Sequence, residues 1–200
     1  MNMKRPIDNL EMRMKTNPTY KVLEQLVMNY IVFQEDIHKA IEFSEKYYYL
    51  VDTLELMYVV TYNAIIWHIN SEIWLDRLDK TFTKNTKYDR AVMYYLKALY
   101  YMHNQNDKAL SLYYLKCSVD CSSGYNFVNN RLDIASLLKG RESRYYYREA
   151  LNNVSSVFDS DEAINTSEDY YININNWIDE YILGIIMYRG TYELLRNKTK

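Results

Sequence analysis

Residues 89–121, "DRAVMYYLKALYYMHNQNDKALSLYYLKCSVDC", carry the clearest helical pattern in the chain. Apolar residues recur there at intervals of three and four, which is the spacing of one buried helix face, and not at the alternate positions of a strand. The pair Asn106-Asp107 interrupts this pattern with residues that favour a helix N-cap. The stretch therefore predicts two helices, near residues 88–103 and 107–120.

The same pattern recurs along the chain. Eight predicted helices form four pairs, at residues 20–34 with 36–51, 54–69 with 72–83, 88–103 with 107–120, and 124–138 with 142–157. Start signals for the first two pairs are Asn17-Pro18 and Asp52 with Glu55. The pairs recur about every 34 to 36 residues, which is a period typical of helix-hairpin repeats. An irregular helical bundle remains the alternative interpretation.

The composition agrees with an all-α fold. Only 4 glycines and 2 prolines occur among 200 residues, so few loops are expected, and a hydrophobic content of 48% is sufficient for a large core. We predict a single helical-repeat domain over residues 1–200, with repeat pairs at about 20–51, 54–83, 88–120 and 124–157. The acidic segment "FDSDEAINTSE" at 158–168 is predicted to be a loop, and residues 169–188 are predicted to form a capping helix.

The segment 89–121 resembles a tetratricopeptide repeat. The family's large, aromatic, small and aromatic positions are occupied here by Leu96, Tyr100, Ala109 and Tyr113. The small residue Ala109 is expected to let the backbones of the paired helices approach closely. The entry "NDKAL" to the second helix is typical of the family, whereas the sequence departs from the family pattern at Lys97, Lys116 and Cys121. The other three pairs match by period more than by residues. The resemblance implies a right-handed superhelix whose first helices line a concave groove for a peptide or protein partner.

Two sets of residues recur at a spacing of 34 on the predicted first helices. The first set is polar and comprises Asn29, Asn63, Lys97 and Arg131, and the second is aromatic and comprises Phe33, Trp67 and Tyr101. A row of donors beside a row of aromatic rings is suited to holding an extended peptide. We therefore predict a peptide-binding groove at Asn29, Asn63, Lys97, Arg131, Trp67 and Tyr101, with a packed aromatic core as the alternative.

The stretch "RESRYYYREAL" at residues 141–151 combines three tyrosines with three arginines. On a helical wheel, Tyr147 belongs to the core, Tyr146 lies beside it, and Tyr145 is exposed. The triplet at residues 47–49 is predicted to turn Tyr48 inward. The stripe of Arg141, Arg144 and Arg148 beside Tyr145 predicts an anion-binding surface, because guanidinium groups bind phosphate and carboxylate through forked donors. A solvated face paired to Glu142 and Glu149, or a local RNA-binding patch, are the alternatives.

Charge and targeting features exclude several classes of protein. A net charge of −2 provides no overall attraction to nucleic acid or to anionic membranes, so both partners are disfavoured. The N-terminus lacks an apolar segment of signal-peptide length, and the most apolar stretch, residues 54–69, carries Glu55. Cys117 and Cys121 are too few for a secreted disulfide framework. We therefore expect a cytoplasmic protein without a membrane span.

No catalytic signature is present in the sequence. Glycine is too scarce for a phosphate-binding loop, and none of His38, His68 and His103 has a second ligand at helical metal spacing. We predict no enzyme activity, cofactor or metal, although a helical enzyme with a hidden site remains open. The leading hypothesis is a non-enzymatic protein- or peptide-binding module, an adaptor or peptide sensor. A virus- or plasmid-type protein that inhibits a host factor and a helical nucleic-acid-binding protein are the alternatives.

Overall fold

The computed structural model of the protein describes residues 6–51, 53–81, 86–122 and 127–158. Within these ranges the helices are α1 (Pro6–Thr16), α2 (Tyr20–Val32), α3 (Ile37–Lys46), α4 (Leu54–Ile66), α5 (Ser71–Thr81), α6 (Lys87–His103), α7 (Lys108–Cys121), α8 (Asn129–Leu137) and α9 (Gly140–Phe158). A single 3-10 turn, Tyr48–Leu50, follows α3, and the described ranges contain no strand. The predicted all-α class is confirmed.

The eight predicted helices correspond to α2 through α9, whereas α1 was not predicted. Two boundaries differ by about five residues. Helix α3 ends at Lys46 rather than near 51 because the chain turns through Tyr48–Leu50. Helix α8 begins at Asn129 rather than near 124. Helix α9 extends to Phe158, while the rest of the predicted acidic loop (159–168) and the capping helix (169–188) lie outside the described residues.

The helix starts follow N-cap chemistry. Asp107 accepts hydrogen bonds from the backbone amides of Ala109 and Leu110, both at 3.0 Å, as the "NDKAL" pattern predicts. The N-cap of α2 is Thr19 rather than the predicted Asn17, because the Thr19 side chain accepts from the Val22 amide. Helix α4 is capped by Thr53, and the predicted cap Asp52 lies outside the described residues.

Two helical hairpins share one turn geometry. Glu35 before α3 and Asn106 before α7 both adopt left-handed backbone conformations, with φ of 52° and 53°. In each turn the backbone amide of the following N-cap aspartate donates a hydrogen bond to a carbonyl of the preceding helix. These bonds run from Asp36 N to Tyr30 O (3.0 Å) and from Asp107 N to Tyr101 O (2.8 Å). Left-handed residues of this kind allow a helix to end and reverse within a few residues. The turns after α2 and α6 are therefore structural equivalents.

Consecutive helices pack against one another along the described chain, and α4 also packs against α6. Helix α4 is the central element, since all its residues from Leu56 to Ile65 except Tyr62 are buried. The same core cluster includes Trp74 of α5 and Tyr95 of α6, both fully buried. The Oγ of Ser118 donates to Ala91 O at 2.7 Å, so the end of α7 lies beside the start of α6 and these two helices are antiparallel.

Ala109 is exposed, so its predicted role as a small packing residue between paired helices is wrong. It lies in the first turn of α7, and the face that α7 turns toward α6 is formed by Ser111, Leu115 and Ser118. Both serines are fully buried. The close approach of α6 and α7 therefore depends on the small side chains of Ser111 and Ser118. The Ser118 hydroxyl also donates a hydrogen bond to the backbone carbonyl of Ala91.

The tyrosine triplets largely follow the wheel prediction. Tyr145 is 58% exposed and Tyr146 is half-buried against the main core, as predicted. Tyr147 is also only half-buried, and it packs in a small separate cluster with Val128 and Ala150. In the other triplet Tyr48 turns inward against Trp74, although its neighbour Tyr47 is the more buried ring.

Candidate functional site

The spacing of 34 residues does not give equivalent positions in all four first helices. The backbone amide that closes each helix donates to Asn29 O in α2, Asn63 O in α4, Tyr100 O in α6 and Ile134 O in α8. Helices α4 and α6 end 37 residues apart, at Ile66 and His103. Lys97 and Arg131 consequently lie one helical turn earlier in their helices than the two asparagines do.

The two asparagines of the predicted groove face different surroundings. Asn63 is only 3% exposed, and its Nδ2 donates to Val59 O of its own helix at 2.8 Å. Asn29 is half-buried one turn before the end of α2. A buried amide that bonds back to its own helix is already satisfied. Asn63 therefore offers no side-chain nitrogen to a peptide in this structure.

The aromatic set is divided between exposed and half-buried rings. Phe33 and Trp67 are the C-cap residues of α2 and α4, and Trp67 is 56% exposed. Tyr101 is half-buried near the end of α6. The C-cap of α6 is joined to the start of α5, which follows α4 after a short turn, by a hydrogen bond of 3.0 Å from Asn104 Nδ2 to Ser71 Oγ. Trp67 is therefore not a core residue, and it lies at the same end of the helices as Tyr101.

A row of stacked tyrosines lies where α6 meets α7. The Tyr101 and Tyr114 rings are 5.4 Å apart and inclined by 6°, and Tyr94 stacks on the other side of Tyr114 at 6.2 Å. Tyr94, Lys97 and Tyr101 share one face of α6 because they are three and four residues apart. We call Tyr94, Lys97, Tyr101 and Tyr114 the tyrosine face. All four side chains are half-buried.

Lys97 links the tyrosine face to α5. Its Nζ lies 2.8 Å from Asp79 Oδ2 and 5.7 Å from the centroid of the Tyr114 ring. The Lys97 side chain is 18% exposed, whereas Asp79 is 42% exposed. An ammonium group has three donor hydrogens, so one carboxylate does not exhaust it. Lys97 is therefore fixed by an ion pair and a cation–π contact, with donor capacity remaining.

The phenol groups of the tyrosine face are available for bonding. Within the described part of the chain, the hydroxyls of Tyr94, Tyr101 and Tyr114 form no hydrogen bond with protein, and none of them is a fully buried unsatisfied atom. The neighbouring Tyr113 is exposed, and a hydrogen bond with Cys117 raises its pKa. Half-buried rings with free hydroxyls are the type of side chain that is enriched in protein interfaces.

Arg131 has a different environment from Lys97. It lies in the first turn of α8 and is 7% exposed. Its Nη1 donates to three neutral oxygens, Phe127 O (2.7 Å), Ser122 Oγ (3.1 Å) and Asn130 Oδ1 (3.2 Å). No described carboxylate oxygen lies within the ion-pair distance of 4.0 Å. Burial lowers the pKa of Arg131, and the nearby Glu149 acts in the opposite direction.

The predicted anion-binding stripe lies on the surface of α9. Arg141, Arg144 and Arg148 are exposed beside the exposed ring of Tyr145. Among the described residues no ion pair joins these arginines to Glu142 or Glu149. The alternative is therefore observed in part: the arginines lie on a solvated face, but they are not paired to Glu142 or Glu149.

Sequence reasoning identified Lys97 and Tyr101 but missed Tyr94, Tyr114 and Asp79. Tyr94 had a usable signal, since it shares the three-and-four spacing of Lys97 and Tyr101 on one helix. The positions of Tyr114 and Asp79 depend on how α5 and α7 pack on α6, which no local pattern specifies.

Comparison with protein-family models, with curated proteins and with solved structures finds no match to this chain. Over the residues described, no helix is long and apolar enough to cross a membrane. The same residues contain no group of three or more histidine, cysteine, aspartate or glutamate side chains arranged to hold a metal ion.

Proposed function

We propose that the protein is a non-enzymatic module that binds a peptide or protein segment on the tyrosine face. The observation that supports this most strongly is the stack of Tyr94, Tyr114 and Tyr101 around the anchored Lys97. Tyrosine contributes a large contact area at low entropic cost, and each ring carries a hydroxyl that can donate or accept. A stack of this kind provides both the apolar and the polar parts of a binding surface.

The bound segment is proposed to be extended and to carry a carboxylate near Lys97. Asp79 occupies one donor of the Lys97 ammonium, and a second carboxylate can share the remaining donors. Trp67, the C-cap residue of α4, is exposed and is therefore accessible to a bound segment that continues past the end of α6. The predicted contacts to Asn63 and Arg131 are not part of this proposal because both side chains are buried.

The proposed scaffold is a tetratricopeptide-like array of helical hairpins. The equivalent turns after α2 and α6, and the antiparallel packing of α6 and α7, support this relation. Cys117 and Cys121 are both free thiols, which agrees with an adaptor acting in the reducing cytoplasm. Binding of a host factor by a convex or terminal surface, away from the tyrosine face, would instead indicate the inhibitor hypothesis.

Selection from a peptide library displayed on phage tests the proposal. Enriched peptides would be synthesised and their affinity for the protein measured by calorimetry. We expect Lys97→Ala and Tyr114→Ala each to weaken binding about tenfold or more, since removing a hot-spot contact costs on the order of 1 to 3 kcal/mol. Tyr145→Ala is the matched control, because Tyr145 is an exposed tyrosine on α9 and not part of the tyrosine face. Enriched peptides that bind both variants with unchanged affinity would reject the proposed surface.

The arginine stripe supports a second candidate function, binding of nucleic acid through phosphate contacts. Its support is the absence of ion pairs at Arg141, Arg144 and Arg148 among the described residues. Binding of a fluorescent RNA or DNA oligonucleotide would fall steeply with salt, because each phosphate contact releases condensed counterions. The triple Arg→Gln variant should lose this binding. Affinity that does not depend on salt, or that survives in the triple variant, would exclude the candidate.

A further inference from the structure

The junction of α7, α8 and α9 holds a buried cation whose direct neighbours are neutral. The guanidinium of Arg131 meets a carbonyl, a hydroxyl and an amide oxygen, all through Nη1. Removing a charge from water costs several kcal/mol unless the charge is paired and hydrogen-bonded. Three neutral acceptors on one nitrogen offset only part of this cost.

The opposite edge of the guanidinium has no hydrogen-bond partner among the described residues. Nε is fully buried and has no hydrogen-bond partner. Nη2 donates no hydrogen bond to any described residue and is not among the fully buried atoms. Nε and Nη2 together form the edge of an arginine that binds the two oxygens of a carboxylate or phosphate side by side. We propose that this edge of Arg131 binds an oxyanion, a carboxylate or a phosphate group.

The surroundings favour an anion at this edge. Arg131 lies in the first turn of α8, where the helix dipole adds partial positive charge. Tyr145, Tyr146 and Glu149 of α9 are the titratable groups whose field reaches Arg131. Glu149 repels an anion, but its oxygens lie more than 4.0 Å from the guanidinium nitrogens, so it does not occupy the edge itself. The site is separate from the tyrosine face and independent of the proposed peptide-binding function.

The test uses the full chain labelled with 15N-arginine and observes the Nε–H signal of Arg131. This signal is assigned by its loss in Arg131→Lys, which keeps the charge but removes the fork. We expect the signal to shift saturably on addition of sodium phosphate, with a midpoint in the millimolar range, and not with sodium chloride of the same ionic strength. A parallel titration with sodium acetate distinguishes the two ligand classes: saturation by acetate alone indicates a carboxylate site, and saturation by phosphate alone a phosphate site.

Thermal unfolding provides an independent readout. Phosphate should raise the unfolding midpoint of the wild type by a few degrees more than that of Arg131→Lys, because a ligand stabilises the state that binds it. The comparison between variants removes the general stabilising effect of phosphate on proteins. Arg144→Lys, an exposed arginine on α9, is the control and should behave as wild type. An Arg131 signal that responds to neither anion beyond the chloride control would overturn the proposal, whether or not the variant folds.

Discussion

Lys97 and Arg131 are both cations in the same predicted set, 34 residues apart, yet the structure gives them opposite surroundings. Lys97 lies in the middle of α6, where it reaches the partly exposed Asp79 and the ring of Tyr114. Arg131 lies in the first turn of α8, where it is buried among neutral oxygens. Equal spacing therefore does not imply an equal environment, because the position of a residue relative to the helix ends decides which surface it meets.

The difference has an identifiable structural origin. Helix α6 has 17 residues whereas α8 has 9, so Lys97 and Arg131, which both lie six residues before the end of their helices, are ten and two residues from the helix start. Between α4 and α6 the distance between helix ends is 37 residues rather than 34. The polar set is consequently in register with the helix ends for Asn29 and Asn63 only. The tyrosine face is an accessible surface around one anchored cation, while the Arg131 junction is a buried polar layer.

The largest expected loss of unfolding free energy is at the buried polar layer around Asn130 and Arg131. Asn130 is fully buried, donates to Ser118 Oγ at 3.0 Å and to Ser122 Oγ at 3.3 Å, and accepts from Arg131. Asn130→Ala should lower the free energy of unfolding by roughly 2 to 3 kcal/mol, because it leaves buried polar partners unsatisfied. Chemical denaturation monitored by circular dichroism measures this. A loss below about 0.5 kcal/mol would show that the layer is solvated in solution.

The second-largest expected loss of unfolding free energy is at the close contact between α6 and α7. Ser118→Leu should lower the free energy of unfolding by roughly 1 to 3 kcal/mol, because it overpacks a fully buried contact and removes the hydrogen bond to Ala91 O. Ala109→Leu on the same helix is the matched control and should change it by less than about 0.5 kcal/mol, since Ala109 is exposed. A larger loss of unfolding free energy in Ala109→Leu than in Ser118→Leu would show instead that Ala109 is the contact residue.

These two positions illustrate what the sequence could and could not predict. Periodicity was sufficient for the class of fold, for eight helices and for the Asp107 cap, since these depend on local spacing and capping. It assigned the close contact to Ala109 because small residues permit approach, but burial and hydrogen bonding at Ser111 and Ser118 are set by the rotation of α7 against α6. The candidate surface was predicted only where its residues share one helix, as Lys97 and Tyr101 do.

The third expected effect is the pH dependence of stability that the buried phenol of Tyr58 produces. Burial, followed by the adjacent Asp89 carboxylate, raises the pKa of Tyr58 above its usual value near 10. The unfolded chain ionises this phenol above pH 10 while the folded chain retains the proton, so its stabilisation is complete below pH 10 and is lost as the pH rises further. Near pH 11 the loss should be about 1 kcal/mol. Denaturation curves of Tyr58→Phe should show correspondingly less pH dependence. Identical curves for wild type and Tyr58→Phe would contradict the burial of Tyr58.

The smallest expected stability effect is at Lys97. Lys97→Ala should lower the free energy of unfolding by less than about 1 kcal/mol, because its partner Asp79 is substantially exposed and water screens the pair. Denaturation under the same conditions as for Asn130→Ala measures the contrast. A loss as large as that of Asn130→Ala would place Lys97 in the core and remove it from the accessible surface.

Backbone chemical-shift mapping tests the central claim most directly. An enriched peptide would be titrated into the 15N-labelled full chain, and amide shifts followed residue by residue. The account predicts the largest shifts on α6 between Tyr94 and Tyr101 and on α7 around Tyr114, with α9 around Arg144 unchanged. Shifts concentrated on α9, with α6 and α7 unaffected, would contradict the assignment of the tyrosine face as the binding surface.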